Sequence, residues 1–403
     1  MTIVMITHND LSVSEGPVTH FTEIARNLQD LGHRIVAFAP DLAGVRKEWP
    51  FAVTYLNCFS RKPGLSQLLY ELVLIRALWR VVKRDGVDVI YSRQSYITLT
   101  APLIARLTGI PLATEVNGIL ADDLEGRNVG WLRKRVNRFC ERFAYSRSGS
   151  VICVSNRIRE AVANTYDVPI GRLVTFPNGV NTDHFQPRDA SSRNEIRKRL
   201  GIEPDEFCIG YVGCFTPFDG IEQMPEVARR LTDGTDLRFK IVLVGDEVKK
   251  QNVEALIKEI GNAGQFILTG RIDYSELPAY LAAFDIGVAP YVLAGNGESP
   301  GRPIGNDSLK CLEYSAMALP VVASKLPQTQ YIVESRSGQL VPPGELDMFV
   351  SGIHDLMQTT SERRREMGQR GRAYVCSKRS WRQVAQRTDG ALRDVCACAS
   401  STS

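Results

Sequence analysis

An excess of charge of either sign is nearly absent from this chain of 403 residues: 49 Lys and Arg stand against 45 Asp and Glu, a net charge of +4. So small an excess gives no support to a nucleic-acid partner. Long apolar runs are missing as well. A helix that crosses a bilayer needs about 20 apolar residues, whereas Leu72-Val73-Leu74-Ile75 is stopped at once by Arg76. No basic stretch precedes the first apolar residues, so residues 2–7 read as a strand and not as a signal peptide. A cytoplasmic protein is expected, at most peripheral at the inner face of a membrane. The nine cysteines are odd in number and lack paired ligand spacing, which points to reduced thiols and no metal site. Cys396 and Cys398 lie in a small-residue tail, where a frayed terminus is the plain reading and lipidation or metal binding the other. The chain has no D-x-D triplet and no conspicuous carboxylate pair, which leaves metal-held diphosphate chemistry and glycoside hydrolysis unsupported.

What is present suits two ordinary domains, with 44% hydrophobic and 23% charged residues. Apolar runs predict strands at 2–7, 34–39, 87–91, 111–116 and 150–154, and again at 207–212, 239–244, 265–268, 285–289 and 320–323. Helical periodicity falls between them: Phe21, Ile24, Leu28 and Leu31 share one face, and Gly32 ends it. This alternation predicts an α/β protein of two doubly wound parallel sheets, with function at the carboxyl ends of the strands. A first Rossmann-like domain is expected over 1–185, a polar linker over 186–205 after the Phe176-Pro177-Asn178-Gly179 turn, a second such domain over 206–377, and a terminal helix over 378–396. The evenly apolar stretch 65–82 is expected inside the first domain. Residues 131–145 form a basic amphipathic helix, with Leu132, Val136, Phe139 and Phe143 on one face and Arg133, Lys134, Arg135, Arg138 and Arg142 elsewhere. That face either packs on the core or meets an anionic membrane or a phosphorylated acceptor.

The most informative stretch runs from Ser308-Leu309-Lys310 through Glu313-Tyr314 to Pro320-Val321-Val322-Ala323. Asp307 or Ser308 can cap a helix whose first-turn N–H groups face an anion. Pro320 then ends the helix and a buried strand follows. This stretch resembles the signature of retaining glycosyltransferases of family 4, in the branch reading roughly P-L-K-x-x-E-Y-M-A-x-G-x-P-V-V-A. The segment from Pro177 to Phe185 is similar to that family's hinge.

The resemblance implies a GT-B fold whose two Rossmann-like domains face an inter-domain cleft, and a nucleoside diphosphate sugar as substrate. A UDP-sugar is favoured slightly, with the base and hexose left open. Glu313 would hold the donor ribose, and Ser308, Leu309 and Lys310 the phosphate, with Asp307 near the hexose or simply capping its helix. Gly16 opens the first helix and would let the backbone approach the donor closely. Arg271 would lie near the base or phosphates, and Arg302 is a further cation candidate. Asn117 would orient the sugar, with His20, Arg93 and Glu115 as acceptor or sugar-orienting candidates. The family loop G-R-L-x-x-x-K-G reads Gly213-Cys214-Phe215 onward to Asp219-Gly220, so its arginine and lysine are replaced by Cys214 and Asp219. A carboxylate there would repel a diphosphate, and Lys310 is the expected substitute cation, making Asn117 and Lys310 the catalytic candidates.

The reaction so implied is metal-independent, retaining transfer of a hexose to an acceptor hydroxyl, needing no cofactor, in bacterial polysaccharide or other glycoconjugate synthesis. The acceptor would be a glycan, a lipid-linked sugar or a small molecule. A nucleotide-sugar epimerase or hydrolase of the same fold, or a binding protein that has lost transfer, are the rival readings.

Overall fold

The computed structural model describes residues 1–13, 16–42, 44–58, 63–118, 130–215, 219–245, 250–292 and 308–400. Asp307 and Arg302 lie outside them. The chain divides into two compact units. Residues 1–178 and the terminal helix Trp381–Ser400 belong to one, and most of the chain from Gly179 to Ser380 to the other.

The first unit is built on a parallel sheet in the order β3-β2-β1-β4-β5-β6-β7. Its strands are β1 (Thr2–Ile6), β2 (Arg34–Asp41), β3 (Ala52–Asn57), β4 (Val89–Arg93), β5 (Leu112–Val116), β6 (Ser150–Cys153) and β7 (Leu173–Thr175). β1, β4 and β5 are buried nearly throughout, as strands covered on both faces must be. The chain winds outward from β1 to β3 and then restarts at β4 on the other side of β1, so the topological switch lies between β1 and β4. Helix α1 (Gly16–Asp30) buries His20, Phe21, Ile24 and Leu28. The terminal helix packs on α1, and His33 meets Asp389 at 2.9 Å.

The second unit repeats this plan in the order β10-β9-β8-β11-β12-β13. The strands are β8 (Phe207–Val212), β9 (Phe239–Val244), β10 (Phe266–Gly270), β11 (Ile286–Ala289), β12 (Val321–Ser324) and β13 (Gly338–Val341). Here the switch falls between β8 and β11. The stretch 186–205, polar enough to read as a linker, carries a helix, Ala190–Leu200. Its arginines dock it on the second unit. Arg193 reaches the Asp285 carboxylate at 2.8 Å, and Arg197 donates to the Ala283 carbonyl and to Asp285.

Two helices turn apolar residues outward, the first against expectation and the second as one of its two open readings. Helix α2 (Pro63–Arg84) buries Tyr70, Leu74 and Leu78 but exposes Leu65, Leu68, Leu72, Val73 and Trp79, because a helix lying on a sheet buries one stripe only. The basic helix, Trp131–Arg147, turns Asn137, Cys140, Glu141, Ala144 and Tyr145 inward. Its apolar face points outward instead, with Trp131 72% and Phe139 64% exposed, and Leu132 and Val136 exposed beside them. No helix among the described residues is long and apolar enough to cross a membrane.

Candidate active site

Both switch points carry clusters of polar side chains. In the first unit, Tyr91 and Arg93 lie two residues apart on β4 and so face the same side, and Arg93 is in register with Glu115 on β5. Glu115, 1% exposed, is the hub of this cluster. One of its carboxylate oxygens accepts from Arg93 and from the Asn117 side-chain amide, each at 2.5 Å. The other accepts from the Tyr91 hydroxyl and lies 2.9 Å from His20 Nε2. Burial pushes the Glu115 carboxyl upward, but the charges of His20 and Arg93 and the hydrogen bonds from His20 and Tyr91 outweigh it, so it stays ionised well below the usual carboxylate range. His20 Nδ1 is 2.7 Å from Asn178 Oδ1, and its ring meets Trp381 edge-on at 5.0 Å between centroids. Asn117 itself is half-buried just beyond β5. Gly16 is exposed at the start of α1.

In the second unit the signature forms a helix, Leu309–Ala316, capped by Ser308, whose Oγ accepts from the Cys311 N–H at 3.4 Å. The Tyr291 hydroxyl lies 2.6 Å from the same Oγ. Tyr314 pins the helix across the switch point, accepting from the Val212 N–H of β8 at 2.8 Å and donating to the Val288 carbonyl of β11 at 3.3 Å. The helix ends through Ala318, whose φ of +58° lies in the left-handed region, where the family pattern has glycine.

Lys310 is held on several sides. Its ammonium donates to Asp219 at 2.5 Å and to the Tyr211 hydroxyl at 2.9 Å, and sits 4.3 Å from the Tyr211 ring centroid and 5.1 Å from that of Tyr291. Asp219 is therefore not a bare carboxylate at the phosphate loop, as its position alone implied. It is buried, and Lys310 offsets its charge. Two glycines make the room: a Cβ on Gly213 would stand 2.8 Å from Lys310 Nζ, and one on Gly220, at φ +62°, would stand 1.7 Å from the Pro290 carbonyl.

Glu313 sits three residues along the same helix, 8% exposed. Its carboxylate has no hydrogen-bond partner among the described residues. Burial raises it to about 7, with Lys310 opposing part of that rise. Arg271 follows β10, two strands away from β8, and is exposed.

Of the expected residues, then, the fold gathers His20, Arg93, Glu115 and Asn117 in one cluster, and Ser308, Lys310 and Glu313 in another. Tyr91, Asn178, Tyr211 and Tyr291 are additions, and Asp219, expected as an opposing charge, joins the second cluster as the partner of Lys310. Tyr91 could have been found from strand alternation with Arg93; the other three additions needed tertiary structure.

Residues 14–184 match the family model for Glycosyltransferase Family 4, and residues 192–374 that for Glycosyl transferases group 1. The chain belongs to the family 4 glycosyltransferases. This glycosyltransferase is 26% identical over 404 residues, 98% of each chain, to the GDP-mannose-dependent alpha-(1-6)-phosphatidylinositol monomannoside mannosyltransferase of Mycobacterium tuberculosis. Its fold is that of the GT-B enzymes. It superposes on sucrose-phosphate synthase from Thermosynechococcus elongatus with a TM-score of 0.78, at 18% identity, covering 98% of this chain and 99% of that one. Anabaena HepE in complex with UDP and glucose gives a TM-score of 0.73 at 16% identity, over 98% and 100% of the two chains.

Proposed function

We propose that this glycosyltransferase is a retaining, metal-independent hexosyltransferase that moves a sugar from a nucleoside diphosphate donor to a hydroxyl on a lipid-linked or glycolipid acceptor. The observation that carries the donor reading is Glu313, a buried carboxylate with no partner among the described residues, one turn from a fixed ammonium. Ribose hydroxyls would satisfy it, and the first-turn N–H groups with Lys310 would hold the diphosphate. Lys310 would also offset the charge that grows on the leaving phosphate, with Asn117 orienting the transferred sugar. As usually drawn for such enzymes, the leaving phosphate accepts the acceptor's proton, and positioning supplies the rate. The non-catalytic reading rested on Cys214 and Asp219 standing where the family has its arginine and lysine, and the pairing with Lys310 offsets the charge at 219 and so weakens that motive.

The donor base is tested by offering both kinds. The mannosyltransferase relative favours GDP-mannose, and the HepE complex favours a UDP-sugar. A specific nucleotide sugar at 100 times its Kd should raise stability by about 2.7 kcal/mol. Transfer should follow with the anomeric configuration retained and with chelator present. No stabilisation by any UDP- or GDP-sugar, or loss of transfer with chelator, refutes the reading.

The lipid acceptor is supported by the outward apolar face of the basic helix, where Trp131, Leu132, Val136 and Phe139 stand beside exposed Arg133, Arg135 and Arg138. Wild-type protein should sediment with anionic vesicles at low salt and not with neutral ones, and Trp131→Ser with Phe139→Ser should abolish this. Failure of the wild type to sediment would leave an enzyme with a water-borne acceptor.

A further inference from the structure

Glu115 has no capacity left for a substrate. A carboxylate offers about four acceptor positions, and Arg93, Asn117, Tyr91 and His20 occupy them. At 1% exposure it has no surface to present either. Its contact with Asn117 nevertheless matters for what that residue can do. One N–H of the amide is tied to Glu115, which sets the amide plane and directs the remaining N–H and the carbonyl oxygen.

The far side of the hub has an unusual location. Among the described residues, the chain leaves the first unit after Asn178 and re-enters it at Trp381. His20 touches both residues, by a 2.7 Å hydrogen bond to Asn178 and by ring contact with Trp381. The two crossing strands are joined just beyond, where the Val180 N–H donates to the Arg379 carbonyl at 2.8 Å and Val180 bridges Ser380 in parallel. A single imidazole thus links both crossings to the carboxylate that aims Asn117.

We infer that Glu115 and His20 are positioning residues: Glu115 fixes the Asn117 amide, and His20 anchors Glu115 to the two chain crossings, so sugar orientation depends on residues that touch no substrate. This rests on Asn117 being the group that meets the transferred sugar. It replaces the expectation that Glu115 and His20 contact sugar or acceptor themselves.

A double-mutant cycle tests it. Glu115→Gln keeps the volume but exchanges an acceptor oxygen for an amide, and should lower kcat by roughly 10²-fold, the cost of a misplacement near 1 Å. KM for the donor and the Kd for bare nucleoside diphosphate should stay within about threefold, since neither reports the sugar's orientation. In an Asn117→Ala background the same change should cost less than about threefold, because the group it positions is gone. His20→Phe keeps the ring against Trp381 and should lower kcat by about tenfold, with His20→Gln recovering part by restoring one donor to Glu115. Additive losses in the Asn117→Ala background, or equal loss of nucleoside diphosphate affinity, overturn the inference.

Should Glu115→Gln fail to fold, the side-chain amide resonances of Asn117 in wild type and His20→Phe decide the matter. They should shift and broaden in the variant, and unchanged resonances refute the link. That measurement needs no turnover. An absence of transfer by the wild type would count against the proposed reaction alone.

Discussion

Glu115 and Glu313 are both buried glutamates beside a topological switch point, and each has a cation near it. They differ in what surrounds their oxygens. Glu115 is enclosed by donors from β4, from α1 and from Asn117 just beyond β5, and is ionised at any ordinary pH. Glu313 has no donor among the described residues, and at neutral pH is poised between its two forms. A carboxylate whose hydrogen bonds are all internal is part of the frame, whereas one left without donors in the second turn of a helix has acceptor capacity free for a ligand, as the proposed donor reading requires. The contrast distinguishes the two acids where position alone would treat them alike.

The largest expected effect concerns stability. Glu115→Gln should destabilise the protein by about 3 kcal/mol or more at pH 7, since it strands partners in a buried network. Glu313→Gln should act in the opposite direction. The Glu313 carboxyl is raised from about 4.5 to about 7 on folding, so its ionisation penalises the native state. That penalty is absent below pH 4.5, grows between pH 4.5 and 7, and is complete above 7, where it amounts to no more than about 3 kcal/mol. Denaturant titrations at pH 5 and pH 8 check both signs: Glu313→Gln should gain over wild type mainly at pH 8. The Glu115 contribution runs the other way, present above the ordinary carboxylate value and lost only as the pH falls through the acid range. Equal pH dependence of the two variants would erase the distinction.

Next in size is Lys310. Lys310→Ala should lower transfer by about 10²-fold and also destabilise by up to about 3 kcal/mol, because the buried Asp219 loses its ion pair with Lys310. Lys310→Ala with Asp219→Ala should regain most of the stability and none of the transfer. Recovery of both would make Lys310 a purely structural cation.

Glu313→Ala should weaken nucleotide binding by about 1.5 to 3 kcal/mol through the lost ribose hydrogen bonds, read by calorimetry. Unchanged affinity in a folded variant removes the ribose role and with it the reason for the vacant oxygens. The smallest effect lies at the end of the same helix. Ala318→Gly should stabilise by about 1 kcal/mol, by relieving a left-handed backbone that L-residues adopt at a cost. A shift in the thermal midpoint measures it.

Much of the fold was legible because its central strands are apolar on both faces and read as continuous runs. The strands not read were β3, β7 and β13, which are edge strands, with β7 only three residues long. β3 shows the alternating exposure that blurs a run, as expected where one face meets water. Helix periodicity identified the apolar stripe of the basic helix but not its direction. That was decided by Glu141, which turns inward to accept from Gln94 and Tyr166 and brings the opposite face to the core. In the two clusters, the residues expected from the sequence are those with local spacing logic: Lys310 and Glu313 on one helix, Asn117 after a strand. What escaped was pairing across long separations, above all Asp219 with Lys310, 91 residues apart. Read alone, Asp219 looked like a defect, and its partner changes the meaning.

The Asp219–Lys310 pair also bears on how such a site can evolve. Asp219→Lys alone would set two ammonium groups together against Tyr211, in the space that Gly213 leaves open. Loss of Lys310 alone would take its ion pair from the buried Asp219, beside the helix proposed to hold the diphosphate. Each single step between this layout and the loop-borne lysine of the family pattern thus crosses a charge-unbalanced intermediate, so the two positions are expected to change together or not at all along a lineage. The arrangement is a local optimum fenced by electrostatics, and it would persist by inheritance even where the other layout served the chemistry equally well.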